Sequence, residues 1–357
     1  MLFNRVNGKC QFIVAFISFG FISALAGMDY GFADNKKEAP ANTDANIVST
    51  LEYNAAPANG VPSNPVAFAK MRVTDTWKKY ADVLSWGKGQ TLAILDDGCE
   101  PNYPAWQVRM PWGPKVVAGY DSVDTDNDPS PIPPGYHGTT IAGPSSVNYK
   151  GKLGVAFNNS LIHIRAVTVV HLRKDETPSI ARALQWVIDN HKKYNITTIN
   201  FSALDDQEHA EAVPTIIDEK FATLRKLGIW VSAPCGNHHF TKGISWPACQ
   251  PGCFAIGATK QNEDVAHLDR FSNTDILAPA TATSSSNAHI VGSSMILREA
   301  IEKSKYDWHR NGQTLPDAMM NIFKKTGADV NDPGTNLKFK RLDLLAAVDY
   351  VFANAKK

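Results

Sequence analysis

Apolar residues fall in short unbroken runs along this chain, and longer stretches with helical spacing separate the runs. Thr91-Leu92-Ala93-Ile94-Leu95-Asp96 sets four apolar residues in a row ahead of Asp96, Asp97 and the turn residue Gly98. A run of that length suits a strand buried on both faces of a parallel sheet. Val116–Asp121, Leu161–Val167, Ile196–Phe201, Ile229–Ala233 and Phe254–Thr259 predict further strands. Between them, Pro178–Lys193 places Ile180, Leu184, Val187 and Ile188 at helical spacing, and Val213–Leu227 predicts an amphipathic helix ended by Gly228. Val73–Tyr80 predicts a short helix capped by Thr74 or Asp75. Ile296–Lys303, Leu315–Lys325 and Arg341–Phe352 predict three closing helices. Strands alternating with helices predict an α/β fold, a three-layer α/β/α arrangement around a mostly parallel central sheet.

The first 33 residues break this pattern. Arg5 and Lys9 precede the apolar stretch Cys10–Leu25, and Ala24-Leu25-Ala26 has the small-residue form of a cleavage site, as does Gly31-Phe32-Ala33. Residues 1–33 therefore read as a signal peptide, cleaved after Ala26 or Ala33. About 16 apolar residues are short for a spanning helix, so no stable membrane span is expected once the leader is removed. The expected location is secreted, periplasmic or extracellular. Residues 34–65, rich in Ala, Asn, Pro and Lys, read as a linker or short pro-segment, and 66–357 as one domain without internal repeats. Composition narrows the partners. Thirty-six basic and 35 acidic residues leave a net charge of +1, which gives no reason to expect nucleic acid. A monomer is expected. Cys10 leaves with the leader; Cys99, Cys235, Cys249 and Cys253 remain, and export permits disulfides in three connectivities, Cys249–Cys253 being the local pair.

Open parallel sheets carry their chemistry at the carboxyl ends of their strands. Asp96 sits at such an end, and so does Asn237, which follows the strand at 229–233 through Gly236. Each has a bland alternative, a turn carboxylate or a loop amide. His137 opens the small-residue run His137-Gly138-Thr139-Thr140-Ile141-Ala142-Gly143, where Gly138 lets another chain segment approach; an ordinary helix-cap histidine has the same appearance. Ser294, in Gly292-Ser293-Ser294-Met295, stands before the helix predicted at 296–303, as a cap or as a nucleophile favoured by the helix dipole. Asp121, Asp124, Asp126 and Asp128 alternate along a loop and offer either Ca²⁺ ligands or a solvated turn. Cys235, His238, His239, Cys249 and Cys253 match no zinc-finger spacing, so no metal ligand is assigned. Asp205, Asp206 and Glu208 form an acidic loop after the strand at 196–201. No Gly-x-Gly-x-x-Gly follows the first strand, which excludes a dinucleotide-binding enzyme.

Asp, His, Asn and Ser on glycine-containing turns, in that order, resemble the subtilases, the subtilisin-like serine proteases. Asp96-Asp97-Gly98 resembles the Asp-(Ser/Thr/Asp)-Gly box, and His137–Gly143 resembles His-Gly-Thr-His-Val-Ala-Gly. Gly154-Val155-Ala156-Phe157-Asn158, Ile199-Asn200-Phe201-Ser202, Trp246-Pro247-Ala248 with Phe254-Ala255-Ile256-Gly257-Ala258, and Gly292-Ser293-Ser294-Met295 resemble further family boxes. The resemblance implies a subtilisin-like fold and a triad of Asp96, His137 and Ser294. It also implies Asn237 as an oxyanion donor. Ser202, Ala203, Leu204, Ala233, Pro234 and Gly236 would then line the substrate. The implied activity is that of an exported serine endopeptidase acting on polypeptide, with no required cofactor and at most a structural Ca²⁺. Two positions depart from the family. Arg298 stands where its serine helix carries proline, and Leu204 where its substrate strand carries glycine. A catalytically silent, peptide-binding subtilase fold is the alternative these departures keep open.

Overall fold

The computed structural model describes residues 60–355, apart from Pro134 and 173–175. The leader at 1–33 and most of the linker at 34–65 lie outside the described residues. The linker's last residues are structured: Val61–Pro62 pairs in parallel with Lys152–Leu153, and Pro65 opens helix α1 (Pro65–Lys70). Helix α2 (Val73–Lys79) follows. Its cap is Arg72 at φ +60°, with no side-chain hydrogen bond, rather than Thr74 or Asp75.

Strand β1 (Thr91–Asp96) is buried at all six positions. Its side chains alternate between two cores. Leu92 and Ile94 join one, and Ala93 and Leu95 the other. That double burial is why the run has no polar break. The remaining strands of the sheet are β2 (Val116–Asp121), β3 (Ser160–Arg165), β4 (Ile196–Phe201), β5 (Trp230–Pro234), β6 (Phe254–Thr259), β7 (Ile276–Pro279), β8 (Ala328–Asp332) and β9 (Leu337–Arg341). Their order is β8-β9-β7-β6-β5-β4-β1-β3-β2. All neighbours are parallel except β8 and β9, and Ala266–His267 adds a short antiparallel segment to β6.

Helices cover both faces. The short helices α3 (His137–Ile141) and α4 (Gly143–Ser146) lie between β2 and β3 in the chain. Helices α5 (Thr177–Tyr194) and α6 (Asp218–Lys226) pack on the Ala93 side. Helix α7 (Thr283–Ser304) packs across β4, β5, β6 and β7 on the other face, joined there by α8 (Leu315–Thr326) and α9 (Leu344–Ala353). The architecture is the expected three-layer α/β/α sandwich.

Three boundaries differ from the sequence expectation. Helix α6 starts at Asp218 instead of Val213, because the Asp218 carboxylate accepts the Thr215 N–H (3.0 Å) and hydroxyl (3.2 Å) in a turn that follows Pro214. Strands β7, β8 and β9 were not predicted; β9 covers the start of the helix expected from Arg341. Helix α7 begins at Thr283, well before the predicted 296, so Ser294 falls in its interior.

Candidate active site

Asp96 is the last residue of β1, and Gly98 turns the chain there at φ +108°. The turn brings the aspartate under α3. His137 Nδ1 lies 2.9 and 3.0 Å from the two Asp96 carboxylate oxygens. Gly138 permits that approach: a Cβ there would clash with Gly98 O and lie 2.9 Å from Asp96 Cβ. Asp96 is buried, while the His137 side chain keeps 28% of its exposure. Burial alone would lower the His137 pKa, but the charge and hydrogen bond of Asp96, with the charge of Asp97, raise it above the ordinary 6.5.

Asp97 has a role the sequence did not disclose. One of its oxygens accepts the N–H groups of Tyr136 (3.1 Å) and His137 (3.2 Å), and the other accepts that of Gly138 (2.8 Å). These are orphan donors at the start of α3, so Asp97 holds the turn that presents His137. Burial, and then the charge of Asp96, push its carboxyl up from 3.8 to about 6.

Asn237 follows β5 and is exposed. Its Oδ1 accepts from both Thr283 N–H (2.9 Å) and Thr283 Oγ1 (3.0 Å), which leaves the amide nitrogen as the free end. Gly236 N–H donates in turn to Thr283 Oγ1 (3.2 Å). Gly236 sits at φ +118°, and a Cβ there would clash with Asp269 and lie 2.7 Å from Ser245 Oγ. The end of β5 is thereby fastened to the first residue of α7.

Ser294 does not meet this cluster. It lies in the interior of α7, fully buried, and its hydroxyl donates to Val291 O at 2.8 Å. Ten residues of helix separate it from Ser284, or about 15 Å at a rise of 1.5 Å per residue. Gly292 beside it is a packing glycine rather than a turn: a Cβ there would lie 2.8 Å from Val155 Cβ and 3.2 Å from Ser145 Cα. The residue of α7 at the Asn237 end is Ser284, directly after Thr283 and 7% exposed. Ser286, Ser293 and Ser294 each donate their hydroxyl to a backbone carbonyl, whereas no such bond ties down Ser284 among the described residues. Helix α3 packs against α7, although no hydrogen bond joins His137 Nε2 to a serine among the described residues. Catalytic hydrogen bonds often close only around substrate. The overlooked signal is the polar tract Thr281–Asn287, which directly follows the carboxyl end of strand β7. Arg298 lies further along the helix and donates to Gly228 O (2.7 Å) and Glu302 (2.9 Å).

Ser202, Ala203 and Leu204 continue from β4 and are buried. Leu204 N–H donates to Val170 O (2.9 Å), and its carbonyl accepts from Leu172 N–H (2.6 Å). Ala233 and Pro234 are buried within β5 and pair with β6. The acidic group past Leu204 is engaged internally. Asp205 meets His209 Nε2 (2.6 Å) and Trp246 N–H (3.0 Å), Asp206 meets His171, and Glu208 accepts from Lys242 N–H (2.9 Å).

On the acidic loop, Asp121 and Asp124 both bind Arg165, at 2.5 and 2.6 Å. Among the described residues, no group of three His, Cys, Asp or Glu side chains converges as a metal site. All four cysteines among the described residues are free and buried, so the local Cys249–Cys253 bridge that export would permit is not formed. Cys249 Sγ faces Gln250 Oε1 (3.6 Å), and Cys253 Sγ faces Phe254 O (3.9 Å).

A sequence model of the subtilase family matches residues 87–313. A thermophilic serine proteinase of Bacillus sp. (strain AK1) is 26% identical over 288 residues, covering 77% of this chain and 66% of that protein. A subtilisin-like protease of Coccidioides posadasii (strain C735) is 25% identical over 229 residues, 61% of this chain and 55% of its own. This chain thus spans less than two thirds of the length of either relative. Among solved structures, a cold adapted subtilisin-like serine proteinase superposes with a TM-score of 0.54 at 20% identity, covering 72% of this chain and 89% of that one. That likeness is one of fold.

Proposed function

The chain belongs to the subtilase family, and from that footing we propose that it is an exported serine endopeptidase whose nucleophile is Ser284. Ser284 Oγ attacks the peptide carbonyl carbon while its proton passes to His137 Nε2. Asp96 fixes the imidazole through Nδ1 and stabilises the imidazolium. The tetrahedral oxyanion takes hydrogen bonds from Asn237 Nδ2 and the backbone N–H of Ser284, at the positive end of α7. His137 then gives its proton to the leaving amine, and water hydrolyses the acyl-enzyme by the same route. No metal or cofactor enters these steps.

The observation that carries the assignment is the double hydrogen bond from Thr283 to Asn237 Oδ1, which sets the free amide nitrogen beside the first turn of α7. Export rests on the leader sequence. Among the described residues no helix is long and apolar enough to cross a membrane. The test is labelling with an organofluorophosphonate. Wild type and Ser294→Ala should label and cleave casein, and Ser284→Ala should do neither. Labelling lost in Ser294→Ala but kept in Ser284→Ala would overturn the assignment.

A catalytically silent peptide-binding protein is the competing reading. Its support is Leu204, which sets a bulky side chain where the family's substrate strand carries glycine. Correctly folded wild type that binds peptide without labelling or turnover would favour it.

A further inference from the structure

A pocket of about 440 Å³ opens between β2, β3 and the segment that follows Gly98. Trp106, Val108, Val116 and Pro129 give it an apolar wall, and Cys99 and His163 stand in its interior. Arg109 and Asn127 are exposed at its rim. The volume falls in the range of sites for small organic ligands, roughly 300–1,000 Å³.

His163 is the unexplained residue. It lies on β3 between Ile162 and Ile164, opposite Ile94 of β1 and Gly119 of β2, where any branched aliphatic side chain would satisfy the sheet. It is 2% exposed, and neither ring nitrogen has a hydrogen-bond partner among the described residues. A buried polar group left without a partner loses its hydration for nothing in return. Burial holds its pKa down at about 4, against the raising effect of the Asp96 charge. The imidazole is therefore neutral at physiological pH and presents one N–H donor and one lone pair. Burial likewise pushes the Cys99 thiol up to about 12, so it too is uncharged. The Trp106 ring centroid lies 5.8 Å from that of His163, and its Nε1 is already committed to Thr139 O at 2.8 Å. Only its ring surface is left for a ligand.

We propose that this pocket is a binding site for a small uncharged aromatic molecule carrying one hydroxyl, with the ring against Trp106 and Pro129 and the hydroxyl on the His163 imidazole. An anion is disfavoured by the nearby Asp96 charge, and among the described residues no third side chain joins Cys99 and His163 as a metal ligand. The site adjoins the machinery without belonging to it. Trp106 and Glu100 both bond to Thr139, the latter through its N–H to Thr139 Oγ1 at 2.8 Å, and Thr139 is two residues beyond His137 on α3.

The test compares p-cresol with p-xylene, which differ by a hydroxyl in place of a methyl group. Isothermal titration calorimetry on Ser284→Ala protein reads binding itself, whether or not that serine is the nucleophile. Saturable binding of p-cresol is expected, about fivefold tighter than p-xylene, the increment of one net hydrogen bond. His163→Phe should erase the preference while still admitting both rings. Val116→Trp, which leaves His163 in place, should exclude both. Circular dichroism and thermal melts confirm that each variant is folded. Absence of saturable binding in the parent protein, or a preference for p-cresol that survives His163→Phe, would overturn the proposal. Should His163→Phe not fold, unchanged binding in Val116→Trp would overturn it as well.

Discussion

Two residues divide the work of presenting His137. Asp96 binds the ring, and Asp97 holds the backbone from which the ring projects. The Asp97 carboxyl binds its proton more tightly in the folded chain, at about 6 against an ordinary 3.8. Its contribution to stability is therefore full below 3.8 and lost as the pH rises through about 6. In Asp97→Asn that component is absent, so urea midpoints should fall less between pH 4 and pH 6 than in wild type. Removing the Asp97 charge also removes one cause of the raised His137 pKa. The acid limb of kcat/KM should accordingly move to lower pH, a shift that a purely structural cap would not produce. Asn237 allows a second separation of roles, since its oxygen anchors Thr283 and its nitrogen is the donor. Asn237→Asp keeps an acceptor for Thr283 but loses the donor. It should cost about 10²–10³ in kcat with KM changed little, the loss known for such a donor in subtilisin. A stopped-flow or steady-state comparison with Asn237→Ala checks it; activity retained in Asn237→Asp would remove the oxyanion role. Asp96, His137 and Asn237 were legible in the sequence because each follows a strand or opens a helix beside a glycine whose conformation the site requires. Asp97 was not, because its role depends on three N–H groups about 40 residues away that only the fold brings to it.

Among the elements, α7 carries both candidate serines, Ser284 and Ser294. Gly292 looked like the turn ahead of a nucleophile, but it is the point where α7 lies against α4 and Val155. The continuous helix also explains why Ser293 and Ser294 return their hydroxyls to carbonyls one turn back, as mid-helix serines do. The two roles predict opposite outcomes for Gly292→Val. As a packing contact, the larger side chain should lower the chemical-denaturation midpoint by about 1–3 kcal/mol in free energy. The folded fraction should still label at Ser284. As a catalytic turn, it would remove labelling and leave stability almost unchanged. The true start of the helix was hidden because Thr283–Asn287 is polar and lacks periodicity, although those residues are nearly all buried. Ser286 is bonded to Gly257 O, and Asn287 to Asn200 and Ser232. Strands β8 and β9 escaped for a related reason. They form an edge hairpin in which Val330 faces Phe339 while many of the intervening residues are exposed, so their pattern is too sparse to read as a strand.

At the scale of the whole molecule, the question is what secures a chain expected to work outside the cell. The sheet buries apolar strands on both faces, and the described cysteines add no crosslink. Cys99, Cys235, Cys249 and Cys253 are buried thiols, and burial raises the pKa of every one, Cys249 to about 11. A thiol so protonated is a poor nucleophile toward disulfides and oxidants, and its burial denies access besides. Cys249 and Cys253 are close in sequence, but their sulfurs face different partners, Gln250 and Phe254. The stability of a chain starting after the leader should therefore be indifferent to redox conditions. Thermal melts with and without dithiothreitol should coincide. Ellman's reagent should find almost no reactive thiol in the native protein and all four once it is unfolded in guanidinium. Two thiols in the unfolded state, with a melt lowered by reductant, would show that a bridge forms after all. In that event the loop between Trp246 and Phe254 would have to rearrange to bring Cys249 and Cys253 together.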